Sequence, residues 1–192
     1  DADAVKAALD KWSASLSPAD ARYRHHQVEA IWTYRWIGAV NTDLLRDVLR
    51  CDNHMARAAA VQQLRWWHAH LPDAINLLRA AANDSSAIVR MEAAIAASYI
   101  GTKEALDAML DIARHPRDGH LAYAFECALN SHTLREHWKG NDAYARIPRL
   151  LKQADRKSEF AEPTPGAQDA QFDTQPNLKL LRIAAVPERM KY

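Results

Sequence analysis

The sequence predicts an all-α solenoid, an α-α superhelix of about four helical hairpins, ending in an extended C-terminal tail. Three observations carry that expectation. Alanine is the commonest residue and only 5 of the 192 residues are glycine, a bias toward helix and away from glycine-rich phosphate loops. Two stretches repeat one another: "CDNHMARAAAVQQL" from Cys51 and "NDSSAIVRMEAAIAASYIG" from Asn83 each set an aspartate in a turn and then an arginine in an alanine-rich helix. Arg57 and Arg90 stand 33 residues apart, and after each a turn leads into a second apolar segment, from Pro72 and from Gly101. The repeating unit therefore reads as a helical hairpin.

Taken in order, a helix from Asp3 to about Leu16 sets Val5, Ala8, Leu9 and Trp12 on one face, which makes 1–16 an N-terminal cap on a solenoid over 17–155. Ser17 and Pro18 have the chemistry of a helix start and lead into a helix carrying Ile31, Trp32 and Trp36 up to Gly38. Trp32 and Trp36, at i and i+4, are expected in the core. The partner of this helix is "NTDLLRDVLRC", with Leu44, Leu45, Val48 and Leu49 on its apolar side. After the two arginine-bearing hairpins, Asp118 to Trp138 reads as one long helix carrying Leu121, Phe125, Ala128 and Leu129, paired with a helix over 142–155 that Pro148 would shorten. Composition shifts at Arg156: 156–177 is polar and proline-containing, a linker, and in 178–192 the alternation of "LKLLRIAAV" reads as one isolated β-strand, the start of a following domain.

Charge and composition narrow the functional classes. With 25 Lys+Arg against 24 Asp+Glu the formal net charge is +1, too balanced for a nucleic-acid groove, and no apolar run is long enough to span a bilayer. At 48% hydrophobic and 26% charged the chain can bury a core. Cys51 and Cys127 lack the CxxC or CxxCH spacing of metal, redox or haem sites, and Cys127, inside an apolar helix, is expected to be a buried thiol. The chain opens on Asp1 rather than Met and without a signal segment, so a processed or excised piece of something longer is expected.

No motif for chemistry emerges, and the expected catalytic, cofactor and metal residues are none. His25 with His26, and His68 with His70, are spaced wrongly to chelate one metal from a helix face. "REHWK" around His137 supplies only one of the two histidines of a zinc protease helix. Asp107 and Asp111 are expected to form a solvated acidic stripe on one helix face. Arg57 and Arg90, one turn into their helices, are expected to reach an aspartate or the turn carbonyls of an adjacent repeat, giving a structural ladder of Asp52, Arg57, Asp84 and Arg90. Trp66 and Trp67 cannot both face inward, and the exposed one either anchors a protein contact or packs against the N-terminal helix or the C-terminal strap. The candidate interaction surface is Trp66 with Arg65 and His68, joined by Arg46, Arg50 and Arg79 from the second helices.

The run "AIVRMEAAIAASYIG", with Asp84, Val89, Arg90, Ala93, Ala94 and Gly101, resembles the HEAT repeat, a member of the armadillo-like helical-repeat folds. The wider stretch from "VEAIWTYRWIGAV" to "SSAIVRMEAA" resembles the HEAT segment of large secreted bacterial proteins, typified by planctomycete-type haem-binding, sugar-dehydrogenase-like chains. The tail "LKLLRIAAVPERMKY" is similar to the first strand of the blue-copper domain that often follows there. The resemblance implies a periplasmic or secreted location and a redox-associated parent protein. Neither a haem motif nor a copper ligand set lies in these residues, so no cofactor is assigned to the chain. The expected function is a non-catalytic scaffold or protein–protein interaction module, with other domains of the parent chain or separate proteins as partners and neither nucleic acid nor membrane. The alternative is a HEAT-like DNA glycosylase or bilin-lyase-type enzyme using the concave face. A glycosylase would need a one-signed positive groove, whereas Arg46, Arg50 and Arg79 give way to Lys103, Asp107 and Asp111.

Overall fold

A computed structural model describes residues 2–138 of the chain. Nine α-helices occur among them: α1 Ala2–Ala14, α2 Tyr23–Trp36, α3 Thr42–Leu49, α4 His54–Trp67, α5 Ala74–Ala82, α6 Ala87–Ile100, α7 Lys103–Met109, α8 Gly119–Leu129 and α9 His132–Arg135. Short 3-10 turns follow α4 (His68–His70) and α7 (Leu110–Arg114). The described residues contain no strand, and the fold is an all-α solenoid of stacked helical pairs. The helix expected over 142–155, the linker 156–177 and the strand within 178–192 lie outside the described residues.

The helix starts are written in the side chains. Asn53 accepts from the backbone N–H groups of Met55 and Ala56, Asn41 from Leu44, Thr102 from Ala105, Asp118 from Leu121 and Ser131 from Leu134. Two starts differ from expectation. Ser17 and Pro18 do not open α2, because the Ser17 hydroxyl accepts from Ala19 N–H and the Asp20 carboxylate from Arg22 N–H, closing turns that delay the helix to Tyr23. The long helix expected from Asp118 to Trp138 is broken after Leu129: the Asn130 amide turns back onto the carbonyl of Glu126 and Ser131 caps a new helix.

The helices form two layers. One holds α2, α4, α6 and α8, with α6 packed along both α4 and α8; the other holds α3, α5 and α7. Alanine makes the first layer close-set, since Ala56, Ala58 and Ala60 of α4 and Ala93, Ala94, Ala96 and Ala97 of α6 are all buried and let the helices approach. The pairing phase is mixed: α4 packs more extensively on α3 than on the α5 that follows it, whereas α7 packs on the α6 before it, as the repeat suggests. The packed pairs between the layers are thus α3–α4, α5–α6 and α6–α7, and α1 lies on α2.

Gly101 closes α6 with φ of 68°, the left-handed conformation that glycine enters without a Cβ penalty. A Cβ there would stand 3.0 Å from Thr133 Cβ, so the position is closed on two counts. Residues 132–138 fold over that end: the Thr133 hydroxyl donates to the carbonyl of Ser98, and His137 Nε2 donates to that of Gly101. At the other end α1 buries only Leu9 among its described side chains, while Val5 and Trp12 stay exposed. It is latched by the Tyr34 hydroxyl, which donates to the Asp10 carboxylate at 2.7 Å.

Candidate functional site

The arginine one turn into each alanine-rich helix ties neighbouring pairs together. Arg57 Nε and Nη2 donate to the two carboxylate oxygens of Asp84 at 2.8 and 2.9 Å, and its Nη1 donates to the carbonyls of Cys51 and Asp52. Burial pushes the Asp84 carboxyl up, but the Arg57 hydrogen bonds, the Ser86 N–H and the charges of Arg57 and Arg90 bring it below the ordinary aspartate value. Arg90 repeats the arrangement one period on. Its Nη1 donates to the carbonyls of Asp84 and Ser85, and its Nη2 to that of Pro116 at 2.8 Å. Asp84 therefore serves both arginines, by its side chain toward Arg57 and its backbone toward Arg90. The Asp52 side chain takes no such part, being 95% exposed with Arg24 3.9 Å away. Arg24 stands one 33-residue period before Arg57 and donates to Gln27 and Asp47. The same spacing that linked Arg57 to Arg90 marks Arg24 in the sequence.

The candidate interaction residues separate onto the two layers. Arg46, Arg50 and Arg79 belong to the α3/α5 side, where carboxylates engage Arg46 and Arg79. Arg46 makes a two-point pair with Asp73, which holds that carboxyl below its ordinary value, with a further contribution from the Arg50 charge. Arg79 donates to Asp111. Asp111 is 8% exposed, receives Asn83 as well, and lies on the 3-10 turn beyond α7, so it and Asp107 do not form a solvated stripe on one helix face. His68 turns back on its own helix, its Nδ1 donating to the carbonyls of Leu64 and Arg65.

Arg65 and Trp66 stand on the arginine-layer face within a row of aromatic and cationic groups. Trp67 is buried, and Trp66 is 47% exposed. The Arg35 guanidinium lies 4.6 Å from the Trp66 ring centre, and Tyr99 meets Trp66 edge-on with centres 5.6 Å apart. Arg65 lies over Tyr99 and pairs with Glu92. Burial pushes the Glu92 carboxyl above its ordinary value, with the Arg65 charge opposing. Tyr99 occupies the repeat position of Trp66, and Ile88 that of Met55, a 33-residue correspondence that identifies both partners.

The same face carries the side chains expected inside. Trp32 is 36% and Trp36 87% exposed, and Cys127 is exposed, because α2 and α8 turn their other sides, Ile31 with Tyr34 and Leu121 with Phe125, into the stack. Shared spacing places two residues on one side of a helix without saying which way that side points. Trp32, Met55 and Ile88 edge a pocket of about 400 Å³ among α2, α4 and α6. Among the described residues no group of three His, Cys, Asp or Glu side chains could hold a metal ion, and no helix is long and apolar enough to cross a membrane.

The class this geometry defines is a repeat protein of stacked α-helical pairs with ladder arginines between them. Residues 42–130 match the family model of HEAT repeats, so this stretch of the chain is similar to a HEAT-repeat segment. The match opens at the first residue of α3 and closes at Asn130, which caps α8, and so takes in the six helices α3 to α8. HEAT repeats are commonly protein-interaction scaffolds. No curated protein and no solved structure matches the chain.

Proposed function

We propose that the chain is a non-catalytic interaction module that orients neighbouring domains of a larger, secreted or periplasmic redox-type protein. The reading rests on Trp66. A half-exposed indole flanked by Tyr99, with Arg35 stacked on it and Arg65 held by Glu92, is a pre-ordered aromatic and guanidinium anchor of the kind that dominates protein contacts. Its neighbours fix its rotamer before any partner arrives, which reduces the ordering entropy lost on binding. The pairing of Arg46 and Arg79 with carboxylates favours this reading over a nucleic-acid clamp, since those cations are engaged within the fold. The likeness of the wider sequence to secreted bacterial HEAT segments supports the setting.

Comparison of the wild-type chain with Trp66→Ala tests the proposal, using affinity capture from the source cell's envelope fraction. A partner whose affinity falls about 10-fold or more on loss of an anchor side chain is expected, with the circular dichroism spectrum unchanged. Capture of every partner equally by both proteins would remove Trp66 from the function.

A further inference from the structure

We infer that the pocket among α2, α4 and α6 receives the chain's own segment 178–186, so that the tail is fastened across the arginine-layer face and fixes where the polypeptide beyond it begins. The inference rests on the scaffold reading and gives it a physical means, but it concerns a site separate from Trp66.

The pocket has the chemistry for an aliphatic strand edge. Its walls are Val28 and Trp32 of α2, Met55 and Ala59 of α4 and Ile88 of α6, and Trp32, Met55 and Ile88 are all at least 36% exposed. Among the described residues seven of the nine exposed large hydrophobic side chains, Trp32, Trp36, Met55, Trp66, Ile88, Tyr99 and Tyr123, belong to α2, α4, α6 and α8, a concentration on one layer that suits an apolar cover. The segment "LKLLRIAAV" supplies that cover. Read at period two, Leu178, Leu180, Ala184 and Val186 fall on one side with Arg182, and Leu181, Ile183 and Ala185 on the other with Lys179, so both sides are mainly apolar and each carries one cation. A strand of this kind that joins a sheet by one side still leaves the other needing an apolar partner.

Charge and reach agree. The lining residues Arg24 and His25 stand 3.2 to 3.9 Å from Asp47, Asp52 and Glu29, carboxylates that are 54%, 95% and 47% exposed, whereas 178–192 carries Lys179, Arg182, Arg189 and Lys191 against Glu188. The described chain ends beside the C-terminus of α6, where His137 meets Gly101. From there to the pocket is roughly the length of α6 and the spacing of two helices, on the order of 30 to 40 Å. The 39 intervening residues, 139–177, reach at most about 130 Å when extended, so the distance lies within the tether and the contact is intramolecular.

The test uses the full 192-residue chain with Ile183 replaced by the photoreactive residue p-benzoylphenylalanine, irradiated in dilute solution and mapped by peptide mass spectrometry. Intramolecular cross-links to peptides holding Trp32, Met55 or Ile88 are expected. Their yield should fall about fivefold or more when Ile88→Asp is added, a change of affinity near one side-chain contact. Ile88 is 39% exposed, and an unchanged melting temperature would show that the variant folds. Cross-links only to other surfaces, only between two copies, or to nothing at all overturn the inference, while a partner that still depends on Trp66 leaves the scaffold reading intact.

Discussion

The junction held by Arg57 and the one held by Arg90 solve the same problem with different acceptors. In both, an arginine early in an alanine-rich helix reaches back to the two carbonyls five and six residues before it and forward to the next repeat. Forward of Arg57 the acceptor is the Asp84 carboxylate; forward of Arg90 it is the Pro116 carbonyl, and Arg117 occupies the repeat position of Asp84. The common part is the backbone geometry of the turn. The carboxylate is an addition that one junction has and the other lacks, so the two should differ in size of effect, in pairwise coupling and in response to pH.

Arg90→Ala should be the most damaging change, about 3 kcal/mol in a denaturant or thermal melt, because it strands the carbonyls of Asp84, Ser85 and Pro116 around a side chain only 5% exposed. A loss under about 1 kcal/mol would show that the carbonyls find water instead. Next in size, Arg57→Ala and Asp84→Ala should each cost about 2 kcal/mol, and the double variant should reveal a coupling of about 1 to 2 kcal/mol between two side chains that are each 14% exposed. Coupling within about 0.3 kcal/mol of zero would mean that the carboxylate adds nothing to what a carbonyl provides.

The smallest effect, and the most discriminating, is pH dependence. Asp84 is held below the ordinary aspartate pKa, so the folded state binds fewer protons there than the unfolded chain. Its stabilisation is complete above the ordinary value of 3.8 and is lost as pH falls through the folded value. The Arg90 junction answers to His115 instead, whose pKa is pushed below 6.5 first by burial and then by the Arg90 charge, and whose Nε2 donates to Asn83. That contribution is complete above the ordinary histidine value and fades as pH falls below it. Melting temperatures of Asp84→Asn and His115→Gln followed from pH 8 to pH 3 should flatten the acid slope in the first and the slope just below neutrality in the second, about 1 kcal/mol or less each. Identical profiles for both variants and the wild type would break the distinction.

Much of this architecture was legible in local chemistry. The alanine-rich segments after Asp52 and Asp84 are α4 and α6, and the turn carbonyls that receive their arginines follow from the spacing. What stayed hidden is set by orientation and competition rather than by period. Trp32 and Trp36 share a helix side with the regularity of core residues, yet Val28, Ile31 and Tyr34 offer α2 another apolar side, and that side was buried. The break after Leu129 arises where Asn130 and Ser131 offer the backbone a cap at each side of one peptide, a signal outweighed in the sequence by the apolar spacing around it. The aromatic row needed the 33-residue correspondence of Trp66 with Tyr99, while the placing of Arg35 on Trp66 depends on the stacking of α2 against α4, which no single segment encodes.

The attachment of α1 has a kinetic consequence. A helix that buries one described side chain, Leu9, and is latched by a hydroxyl-to-carboxylate bond exposes little apolar area when it swings away. Its opening free energy is a small part of that for the whole stack, so its amides exchange with solvent through that local excursion while those of α4 and α6 wait for global unfolding. Proteases acting on the native protein would meet the loop at 15–22 first, and the first product would be a stack without its lid, with the Tyr34 hydroxyl newly wet.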